Sequence, residues 1–273
     1  VSALGYGISD FVGGLASRRV AALRVVLVSY PIALVVLGVL AVPIGGDVSQ
    51  GAVVWGGLCG VAQAFGVWWF YAALGSGPIS VVSPLTAILV AGIPVGVGLA
   101  LGERPGLIAG VGVVLALVAV VLVSREASDE DVTEHRFTPT VAWLTVGSGV
   151  AFGLNFVLID QAPVDAKLWP LVFARASATA LVVLIALLSR NLRPPSGTPL
   201  RLAVLAAFID VGANIAMLLA LQAALLSLAG VLMSLYPAAT VLLAIVVLRE
   251  RVTRWQALGM VLALAAVAMI AAG

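Results

Sequence analysis

Apolar residues fill this chain in runs close to twenty long, and polar residues are confined to short breaks between them. The breaks are rich in Gly, Pro and charge, which end helices. They fall at SRR (17–19), PIGGDVSQG (43–51), GSGP (75–78), GERPG (102–106) and REASDEDVTEHR (125–136). QAPVDAK (161–167), SRNLRPPSGTP (189–199) and RERVTR (249–254) follow. Barrel strands would alternate polar and apolar residues, so uninterrupted runs predict membrane-spanning helices, whose backbones satisfy themselves in lipid. One break is missing. Residues 202–248 hold Asp210 as their only charge. As one helix they would be about 70 Å long, over twice a bilayer core of about 30 Å. The chain must turn back inside that stretch.

An internal repeat predicts where. GVVLALVAV (112–120) returns as GMVLALAAV (259–267), offset by 147 residues. The same offset sets ALVVL (33–37) on ALVVL (180–184) and Glu103-Arg104 on Glu250-Arg251. It also sets AALGSGPIS (72–80) on LALQAALLS (219–227), which places the hidden turn at 222–226. Near the start an offset of 146 aligns YGIS (6–9) with FGLN (152–155). Chance similarity between apolar spans is common, but it does not hold one register from residue 22 to residue 124.

The expected fold is therefore an all-α membrane protein of ten transmembrane helices in two inverted five-helix repeats. Residues 1–124 form the first repeat, 125–139 a charged linker and 140–273 the second. Five spans is an odd number, so the second copy enters from the opposite side. Secondary transporters use this architecture, with the site near the midplane where the copies meet. Val1 to Ala16 is short for a span, and the sequence lacks an initiator Met. The first repeat is thus expected to be truncated at its N-terminus.

Composition agrees and narrows the options. The 273 residues are 63% hydrophobic and 10% charged, against roughly 25% charge in soluble domains. Lys167, the lone lysine, lies in a break, so there is neither a P-loop nor a mid-membrane Schiff-base lysine. A single Cys59 and a single His135 cannot build the usual zinc cluster. No nucleophile–base pair is recognisable, so no enzyme, metal or cofactor is expected. The net charge of +2 comes with arginines at span ends, which points to membrane topology and not to nucleic acid. Arg18, Arg19, Arg24, Arg125, Arg136, Arg190, Arg193, Arg201, Arg249, Arg251 and Arg254 flank the breaks after odd-numbered spans, whereas Arg104 and Lys167 lie on the other side. By this bias the odd breaks are cytoplasmic and both termini external, in a multi-pass protein of the cell membrane.

Polar residues inside lipid are costly, and so are candidate sites. Asp10 lies seven residues before Ser17, roughly 10 Å deep, on a helix face with Tyr6, Gly13, Gly14 and Ser17. Asn155 takes the repeat-equivalent place of Ser9. Gln63 and Asp210 are equivalent under the 147 offset, and Asn214 shares a face with Asp210. These groups, in spans 1, 3, 6 and 8, predict one central cavity. Trp68, Trp69 and Tyr71 are candidates to stack on substrate, although span aromatics usually pack. Tyr236 beside Pro237 is a candidate because proline kinks often face cavities. Arg175 is expected to snorkel or to pair with Asp160 or Asp165. No basic residue is expected beside Asp10 or Asp210, which makes both candidates for proton coupling. Glu103 and Glu250 read as hairpin ends, and the GxxxG patterns at 56–60, 92–96, 106–110 and 149–153 as helix packing.

YGISDFVGGLASRR at the start, SLYPAATVLLAIVVLRERV (234–252) and GERPG with its Gly-rich helix resemble the EamA type of the drug/metabolite transporter superfamily. The resemblance covers the whole chain and implies two five-helix halves, with spans 1, 3, 4, 6, 8 and 9 lining a path for amino acids, metabolites or drugs. It also implies both termini inside, against the charge bias. The Pro of SLYP has Val90 at its repeat-equivalent position, so the halves are expected to bend differently. The combined reading is an alternating-access exporter of a small organic metabolite such as an amino acid, acting as monomer or homodimer, with protons as coupling partner. The alternatives are a lipid-carrier flippase on the same scaffold and a small-drug/proton antiporter.

Overall fold

The computed structural model describes residues 1–100, 106–125, 136–223, 236–248 and 254–272. Ten α-helices account for nearly all of them: α1 (Ser2–Ser17), α2 (Ala22–Ile44), α3 (Gln50–Ser76), α4 (Ile79–Ala100), α5 (Leu107–Arg125), α6 (Pro139–Asp160), α7 (Trp169–Leu188), α8 (Thr198–Ala223), α9 (Tyr236–Leu248) and α10 (Arg254–Ala272). The breaks stop helices by familiar means. Ser49 and Thr138 cap α3 and α6 by accepting from the N–H groups of Ala52 and Val141, and Pro139 occupies a first-turn position that needs no N–H. Gly45 and Gly46, at φ 73° and 108°, end α2 in conformations that only glycine adopts easily. As for the hidden turn, α8 stays helical through Ala223, and 224–226 lie outside the described residues.

The protein is a multi-pass integral membrane protein. By length and composition alone, five helices among the described residues can cross a bilayer: Ala22–Ile44, Gln50–Ser76, Pro139–Asp160, Trp169–Leu188 and Thr198–Met217. Helix α2 shows how a span with little polarity still has two faces. Val25, Val26, Ala33, Leu37 and Ala41 are buried, whereas Val35, Val39 and Val42 are 64%, 67% and 71% exposed. The outward stripe faces lipid, which solvates it as well as a protein core would.

Loops gather at two ends of the bundle. At one end Arg18 donates to the carbonyls of Leu74 and Gly77, Arg24 donates to Asn191 at 2.8 Å, and Gly77 lies against Val141. At the other, the Asp47 N–H donates to the Asp165 carbonyl at 3.1 Å, and Lys167 donates to Ile44 at 3.0 Å. The 23 residues of α2 separate the two ends by about 34 Å. Hence α2 runs from the first end to the second and α7 runs back.

Most of the extensive helix contacts follow an exchange rule in which each helix is swapped for the one five places on, although α1–α3 and α4–α10 have no such counterpart among the described residues. Helix α3 packs on α6 as α8 packs on α1; α4 packs on α6 as α9 packs on α1; α3 meets α7 as α8 meets α2. The pairs α2–α7, α4–α9 and α5–α10 map onto themselves. The rule reaches single residues. Ser9 donates to the Ala206 carbonyl and Asn155 to the Cys59 carbonyl, each at 3.0 Å. Tyr6 donates to Met217 Sδ, while Phe152 meets the ring of Phe70 edge-on at 5.7 Å. Thr240 donates to the Gly7 carbonyl, while Gly153 lies against Ile93. In every pair the α1 and α6 members are offset by 146 residues and their partners by 147.

The glycine patterns divide. A Cβ at Gly56 or Gly60 would collide with α7, and one at Gly149 or Gly153 with α4, so these four permit close helix approach. Gly92 and Gly110 meet nothing within 4 Å among the described residues.

Candidate functional site

The polar residues of five helices converge inside the bundle. From α7, Arg175 donates through Nη2 to the carboxylate of Asp210 on α8 in a short charged hydrogen bond. Tyr30 of α2, the helix packed on both, holds its ring 5.0 Å from the guanidinium carbon. The Tyr30 hydroxyl in turn donates to the Gln63 backbone carbonyl of α3 at 3.0 Å. From α1, Asp10 and Tyr6 fall within electrostatic reach of Asp210. The Arg175 side chain is 3% exposed and that of Asp210 is 23% exposed. The pair therefore turns its acid toward open space and its base inward.

Arg175 overturns two expectations. It pairs with neither Asp160 nor Asp165, and a basic residue does stand beside Asp210. The reason is electrostatic, since a buried guanidinium without a counter-ion is far costlier than a paired one. Depth makes the match possible. Arg175 lies about 20 Å before the end of α7 and Asp210 about 18 Å into α8, counted from the loop that joins them.

The other candidates spread around this centre. Asn214, 3% exposed, turns its amide back onto the Asp210 carbonyl at 2.8 Å. Asn155 donates to Cys59, to both its carbonyl and its Sγ. Gln63 Oε1 is buried and meets no hydrogen-bond donor among the described residues. Tyr71 is buried with its phenol tip in the space left by Gly13, within electrostatic reach of Asp10. Trp68 lies elsewhere, lining a cavity of about 440 Å³ at one end of the bundle with Ser17, Ala72, Ser76, Ser189 and Asn191. Tyr236 opens α9, and its side chain, like Glu103 and Glu250, lies outside the described residues.

The Arg175–Asp210 pair thus joins two neighbouring helices of the second half of the chain, and Tyr30 of α2, from the first half, closes over it. Residues 1–125 and again 139–272 match the EamA-like transporter family. The chain belongs to that family. It is a family of transporters and not of enzymes, so this transporter handles a small-molecule substrate. No curated protein matches it. A solved structure described only as a crystal structure of a protein shares 17% identity, with a TM-score of 0.59, over 98% of this chain and 96% of that one. At that identity the likeness is one of fold.

Two groups of the transporter's centre escaped the sequence reading. Tyr30 looked like one more span aromatic, and nothing local marks it as the roof of Arg175. Arg175 itself carried a usable signal: apart from it, every basic residue lies at or near a span end. A base that deep needs an acid at its own depth, and Asp210 meets that condition.

Proposed function

We propose that this protein is a secondary transporter that moves a small organic solute by alternating access, binding it where the two repeats meet. The division into 1–124 and 140–273 around the 125–139 linker belongs to this reading, as does the inversion of the second repeat. The opposite runs of α2 and α7 and the exchange rule among helix contacts support inversion. One observation carries the proposal. The membrane interior holds a connected polar centre, with Asp10, Asp210, Arg175 and Tyr30 drawn from helices of both repeats.

Access alternates if the two ends close in turn. Each end has its own latch, Arg24–Asn191 at one and Asp47–Asp165 with Lys167–Ile44 at the other. Both latches join the first repeat to the second, so a rocking of one repeat against the other would open one as it closes the other. Proton exchange supplies the driving force in this reading, with the direction outward across the cell membrane. Arg175 compensates Asp210, whereas Asp10 makes no ion pair or hydrogen bond among the described residues. Asp10 is therefore the better proton carrier of the two.

Substrate-accumulation profiling of cells with and without the gene supplies a substrate. Proteoliposomes then test the mechanism. Asp10→Asn copies the protonated state at nearly constant volume and should abolish accumulation driven by a pH gradient, while downhill exchange persists. Uphill transport like wild type in Asp10→Asn, Asp210→Asn and the double variant would refute proton coupling here and leave an uncoupled facilitator.

A further inference from the structure

The charges gathered between α1, α7 and α8 do not cancel. Asp10 and Asp210 carry two carboxylates and Arg175 one guanidinium, so the ionised centre holds one excess negative charge. We propose that this centre is a cation site, seating one monovalent organic ammonium group per cycle on Asp10 and the open side of Asp210. The inference rests on the transport reading and narrows it to a substrate class.

Access decides the sign. The guanidinium is buried, held by Asp210 on one side and covered by the Tyr30 ring on another, so an incoming carboxylate cannot reach it without first breaking the pair. The carboxylates are the reachable members, for Asp10 and Asp210 are only partly buried. The free hydrogen-bonding capacity has the same sense. Asp10 lacks a donor among the described residues, and Gln63 Oε1 is a buried acceptor without one. A ligand bearing N–H groups and a positive charge satisfies both, whereas an anion would add a third acceptor to the set.

Among the described residues, the remaining ionisable groups facing the centre do not change the count. They are Tyr6 on α1, Tyr30 on α2, and Cys59 and Tyr71 on α3, all neutral as phenols or thiol. Residues 239–248 of α9, which packs on α1, carry no ionisable side chain. Arg175 is accordingly a positioning residue. It holds Asp210 in place and leaves Asp10 as the charge that a cation or a proton must meet, one at a time.

Three probes with one aromatic ring and different charge test this on purified protein by equilibrium binding: 2-phenylethylammonium, phenylalanine and phenylacetate. The ammonium should bind about tenfold or more tighter than the zwitterion or the anion, which corresponds to about 1.4 kcal/mol. Asp10→Asn should lose that preference and Asp10→Glu should keep it. Equal or tighter binding of phenylalanine or phenylacetate by wild type overturns the proposal, and so does binding of none of the three by folded protein. The wild-type comparison decides without any variant, should Asp10→Asn fail to fold. Uptake of the same probes into proteoliposomes separates the two readings. Uptake without charge preference leaves the transporter and removes the cation site, whereas charge-selective binding without any uptake does the reverse.

Discussion

At the scale of residues, the decisive contact is a buried arginine that found its acid. Removing one partner of such a pair leaves the other charged and unsolvated, at a cost of about 3–5 kcal/mol. Arg175→Gln and Asp210→Asn should each lower the melting temperature in detergent markedly. The double variant should melt closer to wild type than either single one, because neither charge is then stranded. Equal losses that simply add would show that the two side chains do not depend on each other. Glycines allow an equally local test. A Cβ at Gly60 would overlap the Ala174 carbonyl, while Gly57, three residues earlier on α3, meets nothing within 4 Å. Gly60→Ala should destabilise by about 1–3 kcal/mol by overpacking. Gly57→Ala should be neutral or slightly stabilising, since alanine loses less entropy in a helix. Paired thermal melts of the two variants check both.

At the scale of elements, the proposed ten-span topology places the loop after α7 on the same side as the linker before α6, two helices away. Single cysteines at Ser196 and Thr140, in a Cys59→Ser background, should label together with an impermeant thiol reagent. A cysteine at Asp165 should label from the other side, and joint labelling of all three would end the ten-span reading. Helix positions were legible because Gly, Pro and charge interrupt an apolar chain, and the partnership of repeats because one offset persists. Asp10 and Asp210 were legible as candidates because lipid makes any acid conspicuous. What could not be read was direction around a helix. Asn155 and Tyr71 were expected to face a cavity, yet one donates to Cys59 and the other fills the space at Gly13. Polarity gives depth along a span, and only packing fixes the facing.

At the scale of the whole molecule, the two latches are the parts that the proposed cycle must break. The backbone bond from Asp47 to Asp165 brings those chains within 3.1 Å, close enough for a cysteine pair at the same positions to be bridged. Oxidising Asp47→Cys with Asp165→Cys, again without Cys59, should stop turnover in proteoliposomes, and reductant should restore it. Turnover that continues through a verified cross-link would mean that this end does not open during transport.

The latches are also unequal. One end is tied by a backbone bond, a lysine and the close approach of Gly46 to the Ala166 carbonyl. The other is tied across the repeats by Arg24 and Asn191, beside the cavity that Trp68 lines. An empty carrier whose two shut forms differ in energy does not divide its time evenly between them. Solute arriving where the resting carrier already gapes meets a competent binding site, while solute on the opposite side must wait for a scarcer form. Apparent affinity falls in proportion to that scarcity. Half-saturation measured on uniformly oriented vesicles should therefore be lower from the Trp68 side than from the Lys167 side, even though a single centre serves both.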